Sequence, residues 1–151
     1  MGFFDGYNVA TSGMSAQRTR INTVSANIAN AQTTHSADGG PYKKQNVIFQ
    51  EILLNKQAEK NDFGLKSDTT SPLPSIGVGV REIVDAKGQP ILRFEPSHPD
   101  ANKEGYVAYP DINPVIEMTD LIEAMRSYEA NLSAFKTQKT MDTKTIDILK
   151  G

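Results

Sequence analysis

The sequence predicts an α+β fold in which long N- and C-terminal α-helices pair as a coiled coil and a small β-rich middle segment contains a hairpin. Three observations predict it. Apolar residues recur at alternating steps of three and four near both ends of the chain. All eight prolines fall at or between Pro41 and Pro114. Within that stretch Ile76, Val78 and Val80 alternate with the period of a strand. These divide the 151 residues into an N-terminal helical segment (1–34), a β-rich middle (35–113) with a mobile loop at about 56–75, and a C-terminal helix (114–151).

The first helix carries Tyr7, Ala10, Met14, Gln17, Ile21, Val24 and Ile28 at a/d spacing. Only Arg18 and Arg20 are charged between Gly6 and Thr34. A lone solvated helix has a heavily charged outer face, so small uncharged residues all round suggest contact with other chains on several sides. Isolated helices of this length are marginal in water, and weak order is expected in the free monomer.

The middle offers "YKKQNVIFQEI" as one strand and "SIGVGVREIVDAKGQPILRFEP" as a hairpin turning near Lys87-Gly88. "GYVAYP" supplies another short strand. The polar run "KQAEKNDFGLKSDTTSPLPS" reads as a mobile surface loop.

The last helix opens at "DINPVIEM", with Asn113 as N-cap, Pro114 at the first helical position, and Glu117 and Asp120 at the positive end of the dipole. Met118, Leu121, Met125, Tyr128, Leu132 and Phe135 form its stripe, which then drifts through Met141 to Ile148 and Leu149. Lysines gather late, at Lys136, Lys139, Lys144 and Lys150, again complementing the dipole. Such seams fit either helices buried within one chain or helices of an extended, self-associating subunit.

Composition excludes several functions. A formal charge of −2 leaves no electrostatic footprint for nucleic acid. No apolar run is long enough for direct membrane insertion, and no cleavable secretory leader is visible at Met1. With no cysteine, disulfides and thiolate metal sites are absent. His35 and His98 each lie near one aspartate (Asp38, Asp100), short of the three or four ligands a metal needs. No phosphate loop or hydrolase motif occurs, and the carboxylates at Glu117, Asp120 and Glu123 sit where the dipole wants acids. Neither a catalytic residue nor a cofactor is expected.

The stretch "SANIANAQTT" poses a different question. Asparagine is a poor helix former because its amide competes for backbone hydrogen bonds, yet Asn27 and Asn30 stand at the end of this helix. Two readings stay open. Asn30 is a simple C-cap and Asn27 is exposed; or the amides serve a helix end shielded from water, with Asn30 able to take the left-handed conformation, and fix register between neighbours.

"SGMSAQRTRINTVSANIANAQTT" resembles the N-terminal signature of the axial proteins of the bacterial flagellum, the rod, hook and hook-associated subunits. The matching residues are Met14, Ala16, Gln17, Arg18, Ser25 to Asn30 and Thr33; Gln32 departs from the usual smaller or acidic residue. "DGGPYKKQNVIFQE" and "GYVAYPDINPVIEMTDLIEAMRSYEANLSAFKTQKTM" are similar to the corresponding elements of proximal rod subunits, and the short length without a large insert agrees.

The resemblance implies a non-enzymatic structural subunit of the basal-body rod. It would be exported through the type III apparatus without cleavage and would cross the periplasm as part of the drive shaft. Its partners would be itself, other rod proteins, the export apparatus and membrane-ring components. The terminal helices would form an inner coiled-coil layer with the β-rich middle outside. The interface candidates are Met14, Arg18, Ile21, Val24, Asn27, Ile28 and Asn30 on the first helix. On the second they are Leu121, Met125, Arg126, Tyr128, Asn131, Leu132 and Phe135. Tyr128, Leu132 and Phe135 read as seam core, Arg126 and Asn131 as off-seam contacts, and Arg18 as either a solvated charge or a bond to the C-terminal helix or a neighbour. The competing class is a soluble helical adaptor or export chaperone, which would be folded and dimeric alone. A cell-wall hydrolase lacks its carboxylate pair on a cleft.

Overall fold

The computed structural model describes residues 5–36, 39–54 and 76–150. Helix α1 (Asp5–Ala29) is followed by β1 (Gln45–Leu53), β2 (Ile76–Asp85), β3 (Ile91–Phe94), β4 (Tyr106–Tyr109) and helix α2 (Pro114–Lys150). The loop expected at about 56–75 lies outside the described residues.

The two helices pack antiparallel. Near the start of α1, Tyr7 meets Phe135 edge to face at 5.0 Å; near its end, Asn27 meets Glu117. Between these points a methyl added at Gly13 would lie only 2.8 Å from the Asn131 amide, so the absence of a side chain at Gly13 sets how closely the helices approach. The buried apolar residues of the two helices are small: Ala10, Ala16, Val24 and Ala124. At 37 residues against 25, α2 outruns α1.

The caps follow the local chemistry. At the start of α2 the Asn113 side-chain oxygen accepts from the Val115 N–H (3.0 Å), and Pro114 occupies a position whose N–H would have no partner. At the end of α1 the Asn30 amide donates to the Ala26 carbonyl (2.9 Å). The left-handed conformation open to Asn30 is not adopted: no non-glycine residue among those described has positive φ. The Ala26 carbonyl already accepts from the Asn30 backbone N–H at 3.0 Å, so the side-chain amide adds a second bond to the same oxygen and caps the helix without a chain reversal.

The strands pair differently from expectation in one respect. β1 pairs antiparallel with β2, and β3 with β4, as two separate two-stranded sheets. The expected β2–β3 hairpin is therefore not formed. A tight hairpin turn needs positive φ, which Gly88 lacks, and Gln89 is held extended by Pro90. Instead Ala86 N–H donates to the Lys44 carbonyl (2.7 Å), prolonging the β1–β2 ladder. The register shifts between Ile48 and Phe49, leaving Arg81 as the extra residue of a bulge. β2 seats on α1 through Ser12, whose Oγ accepts from Val78 N–H (3.2 Å).

In the second sheet Phe94 packs edge-on against Tyr106 at 5.3 Å, and Val107 is buried. The turn into β4 is held by Asn102, whose Oδ1 accepts from the N–H groups of both Glu104 and Tyr106 at 2.9 Å. Gly105 has φ of 83°, and an added Cβ would lie 2.9 Å from the Phe94 ring. Gly105→Ala is expected to cost about 2 kcal/mol, from left-handed strain plus displacement of Phe94. Amide hydrogen exchange of Tyr106–Tyr109 would then accelerate, while α1 keeps its protection.

Candidate assembly site

The end of α1, the start of α2 and the start of β1 converge on one buried amide. Asn27 is 1% exposed. Its Nδ2 donates to the Gln45 carbonyl (2.9 Å) and to Glu117 Oε2 (3.0 Å). Its Oδ1 accepts from the Gln45 N–H (2.9 Å) and the Tyr42 hydroxyl (3.1 Å). Two donors and two acceptor lone pairs are all used. Because Gln45 offers both N–H and C=O, the amide substitutes for a neighbouring strand at the first residue of β1, and its orientation is fixed by that pairing.

Glu117 is also 1% exposed. A buried carboxylate needs a countercharge, and Lys44 Nζ stands 2.5 Å from Oε1, its own side chain 27% exposed. Burial, then the charges of Asp85 and Glu117, raise the Tyr42 hydroxyl above the usual tyrosine range. Tyr42 therefore stays a donor to Asn27 at all neutral pH values.

Further along the helix pair, Arg20 bridges to Asp120 (3.5 Å) and Glu123 (3.9 Å), partly in solvent. At the far end the Tyr7 hydroxyl donates to Asp142 Oδ2 at 2.5 Å, and Gln138 donates to Oδ1 at 3.0 Å. The hydrogen bond to Asp142, with burial and the Asp142 charge adding to it, pushes Tyr7 up to about 12. A raised folded-state value means that this contribution to stability is complete below pH 10, where the unfolded tyrosine titrates, and is lost as pH climbs toward 12. Tyr7→Phe is expected to remove that part of the alkaline loss of helicity, leaving Tyr42 and Tyr109, both raised as well. Circular dichroism across about pH 9 to 12 checks it.

Of the residues picked from sequence, Asn27 and Val24 are buried. Met14, Ile21, Ile28, Asn30, Leu121, Tyr128, Asn131, Leu132 and Phe135 are partly covered, and Arg18, Met125 and Arg126 are exposed. Asn131 lies on the helix–helix seam beside Gly13 rather than off it. The ion pair across to α2 is made by Arg20; Arg18 makes none among the described residues. Sequence reasoning missed Lys44, Tyr42 and Gln45 altogether and assigned Glu117 only to the helix dipole. Their signal is faint: a carboxylate in phase with Leu121, Ala124 and Tyr128 on α2. His98 Nδ1 accepts from the Asp100 N–H at 3.1 Å, and no group of three or more His, Cys, Asp or Glu that could hold a metal occurs among the described residues. Among those residues no helix is long and apolar enough to cross a membrane.

The described residues bring together a buried polar junction and two long paired helices, and comparison with known proteins says what such a chain is similar to. Residues 8–34 match the family described as Flagella basal body rod protein, and residues 103–148 the Flagellar basal body rod FlgEFG protein C-terminal. Both signatures define the class of flagellar rod proteins. Over its full length the chain is 40% identical to the flagellar basal-body rod protein FlgC of Borreliella burgdorferi, with 100% of each chain covered. It is 35% identical to that of Aquifex aeolicus (99% of each) and 31% to that of Salmonella typhimurium (98% of each). The chain belongs to the FlgC family of flagellar basal-body rod proteins. Its role is that of a structural rod subunit rather than an enzyme.

Proposed function

We propose that the chain polymerises through α1 and α2, with copies of itself and other rod proteins, into the part of the drive shaft that crosses the periplasm. The export apparatus would deliver it without cleavage of a leader, and membrane-ring components would surround it. The observation that carries this reading is the thin, polar contact between the helices. Its buried apolar side chains are no larger than valine, while α2 leaves Val115, Met118, Ile122 and Met125 exposed. A helix pair built this way gains most of its apolar burial only on meeting further helices. The Asn27 junction would hold the β-rich middle at a set height on that coiled-coil core.

Mass spectrometry of detergent-extracted basal bodies is the test. The expected result is this chain, intact at its N-terminus, at a level comparable to other rod components. Recovery only from the soluble cytoplasm would overturn the reading in favour of an adaptor or export chaperone.

A further inference from the structure

The first three turns of α2 are inverted in polarity. Toward α1 they set Glu117, Asp120 and Ala124; toward solvent they set Val115, Met118, Ile122 and Met125, between 43% and 70% exposed. These four recur at steps of three, four and three, one seam of an α-helix, so the surface that fits them is another helix.

α1 carries a counterpart. On its side turned away from α2, Thr11, Ser15, Arg18, Asn22, Ser25 and Ala29 alternate at four and three and are all exposed. Short side chains there leave room for methionine and isoleucine to insert. The one charge on this face is Arg18. On α2 the apolar stripe continues, four residues beyond Met125, into Glu129, also exposed. Neither Arg18 nor Glu129 makes an ion pair among the described residues.

We propose that the Val115–Met118–Ile122–Met125 stripe seats the outward face of α1 from a second copy, with Arg18 of one copy paired to Glu129 of the next. This rests on the rod-subunit reading and states which faces meet. The two faces differ, so the contact is heterologous and propagates instead of closing a two-fold dimer. It also has a register. Within one chain Gly13 lies beside Asn131 and Asn27 beside Glu117, which puts Arg18 level with Arg126, a like charge. Copies in the same orientation must slide by three residues to replace Arg126 with Glu129. At ~1.5 Å rise per residue that is an axial stagger of about 4.5 Å, so successive copies climb rather than form a level ring.

The native chain has no cysteine, so introduced pairs report without background. In basal bodies from cells carrying both substitutions, Asn22→Cys with Met125→Cys is expected to cross-link copies on oxidation. Asn22→Cys with Ile122→Cys, the level register, is expected to cross-link at least tenfold less. Arg18→Glu and Glu129→Arg should each cut incorporation at least tenfold, and the two together should restore it. Incorporation without the 22/125 cross-link, or with cross-linking only at 22/122, overturns the seam while leaving the rod reading intact. A photoreactive residue at Met125 that captures a different protein instead of α1 of this chain overturns it too. Absence of the native chain from basal bodies sinks the rod reading itself.

Discussion

Asn27→Leu is expected to lower stability by about 4 kcal/mol and to abolish motility. Leucine has nearly the same volume, so the loss comes from polar groups left behind. The Gln45 N–H and C=O, the Tyr42 hydroxyl and Glu117 Oε2 all lose a partner within hydrogen-bond distance. Each stranded buried group costs about 1–3 kcal/mol, and solvent reaching Tyr42 relieves part of the sum. Asn27→Asp separates acceptor from donor function: it keeps the bonds from Gln45 N–H and Tyr42 but places a second carboxylate against Glu117, and should be as damaging. Urea unfolding followed by circular dichroism reads the stability, and swarming on soft agar reads assembly. A leucine variant within about 1 kcal/mol of wild type, a margin ordinary surface substitutions stay inside, and fully motile, would show that this amide pins nothing.

The amide was visible in the sequence because asparagine is out of place in a helix; its partners were not, because they lie 15, 18 and 90 residues away. Helix boundaries and the Asn113 cap were legible for local reasons, since capping and proline chemistry act within one turn. The phase of α2 was legible only in part. Apolar alternation runs through Met118, Leu121, Met125, Tyr128, Leu132 and Phe135. The covered stripe runs through Glu117, Leu121, Ala124, Tyr128, Asn131 and Phe135. The two share Leu121, Tyr128 and Phe135 and part elsewhere. Hydrophobic periodicity marks where apolar side chains are, and in this helix part of that set faces away from the chain's own partner. Arg20 and Arg18, two residues apart, were likewise indistinguishable by charge; only the helix phase tells which one reaches Asp120. Strand pairing failed for a related reason. Alternation shows that β2 and β3 are strands but not which neighbour each takes, and the turn between them lacked the positive-φ residue a hairpin demands.

Lys44 and Glu117 carry the other large effect, and here the double substitution is more informative than either single one. Lys44→Met is expected to destabilise by about 3 kcal/mol, because it strands a carboxylate that is almost wholly buried. Glu117→Gln should cost a similar amount: the new amide keeps an acceptor for Asn27 but turns N–H groups toward the ammonium of Lys44. Combined, Lys44→Met and Glu117→Gln leave a neutral pair in which the introduced amide still serves Asn27 and methionine fills the path of the lysine stem. The double variant is expected to lie within about 1 kcal/mol of wild type, since replacing both members of a buried pair removes its desolvation cost along with its attraction. Denaturant unfolding of the four proteins gives the coupling energy directly. A double variant as unstable as the sum of the singles would mean that Lys44 and Glu117 act independently, and that the carboxylate is held at this junction by Asn27 alone.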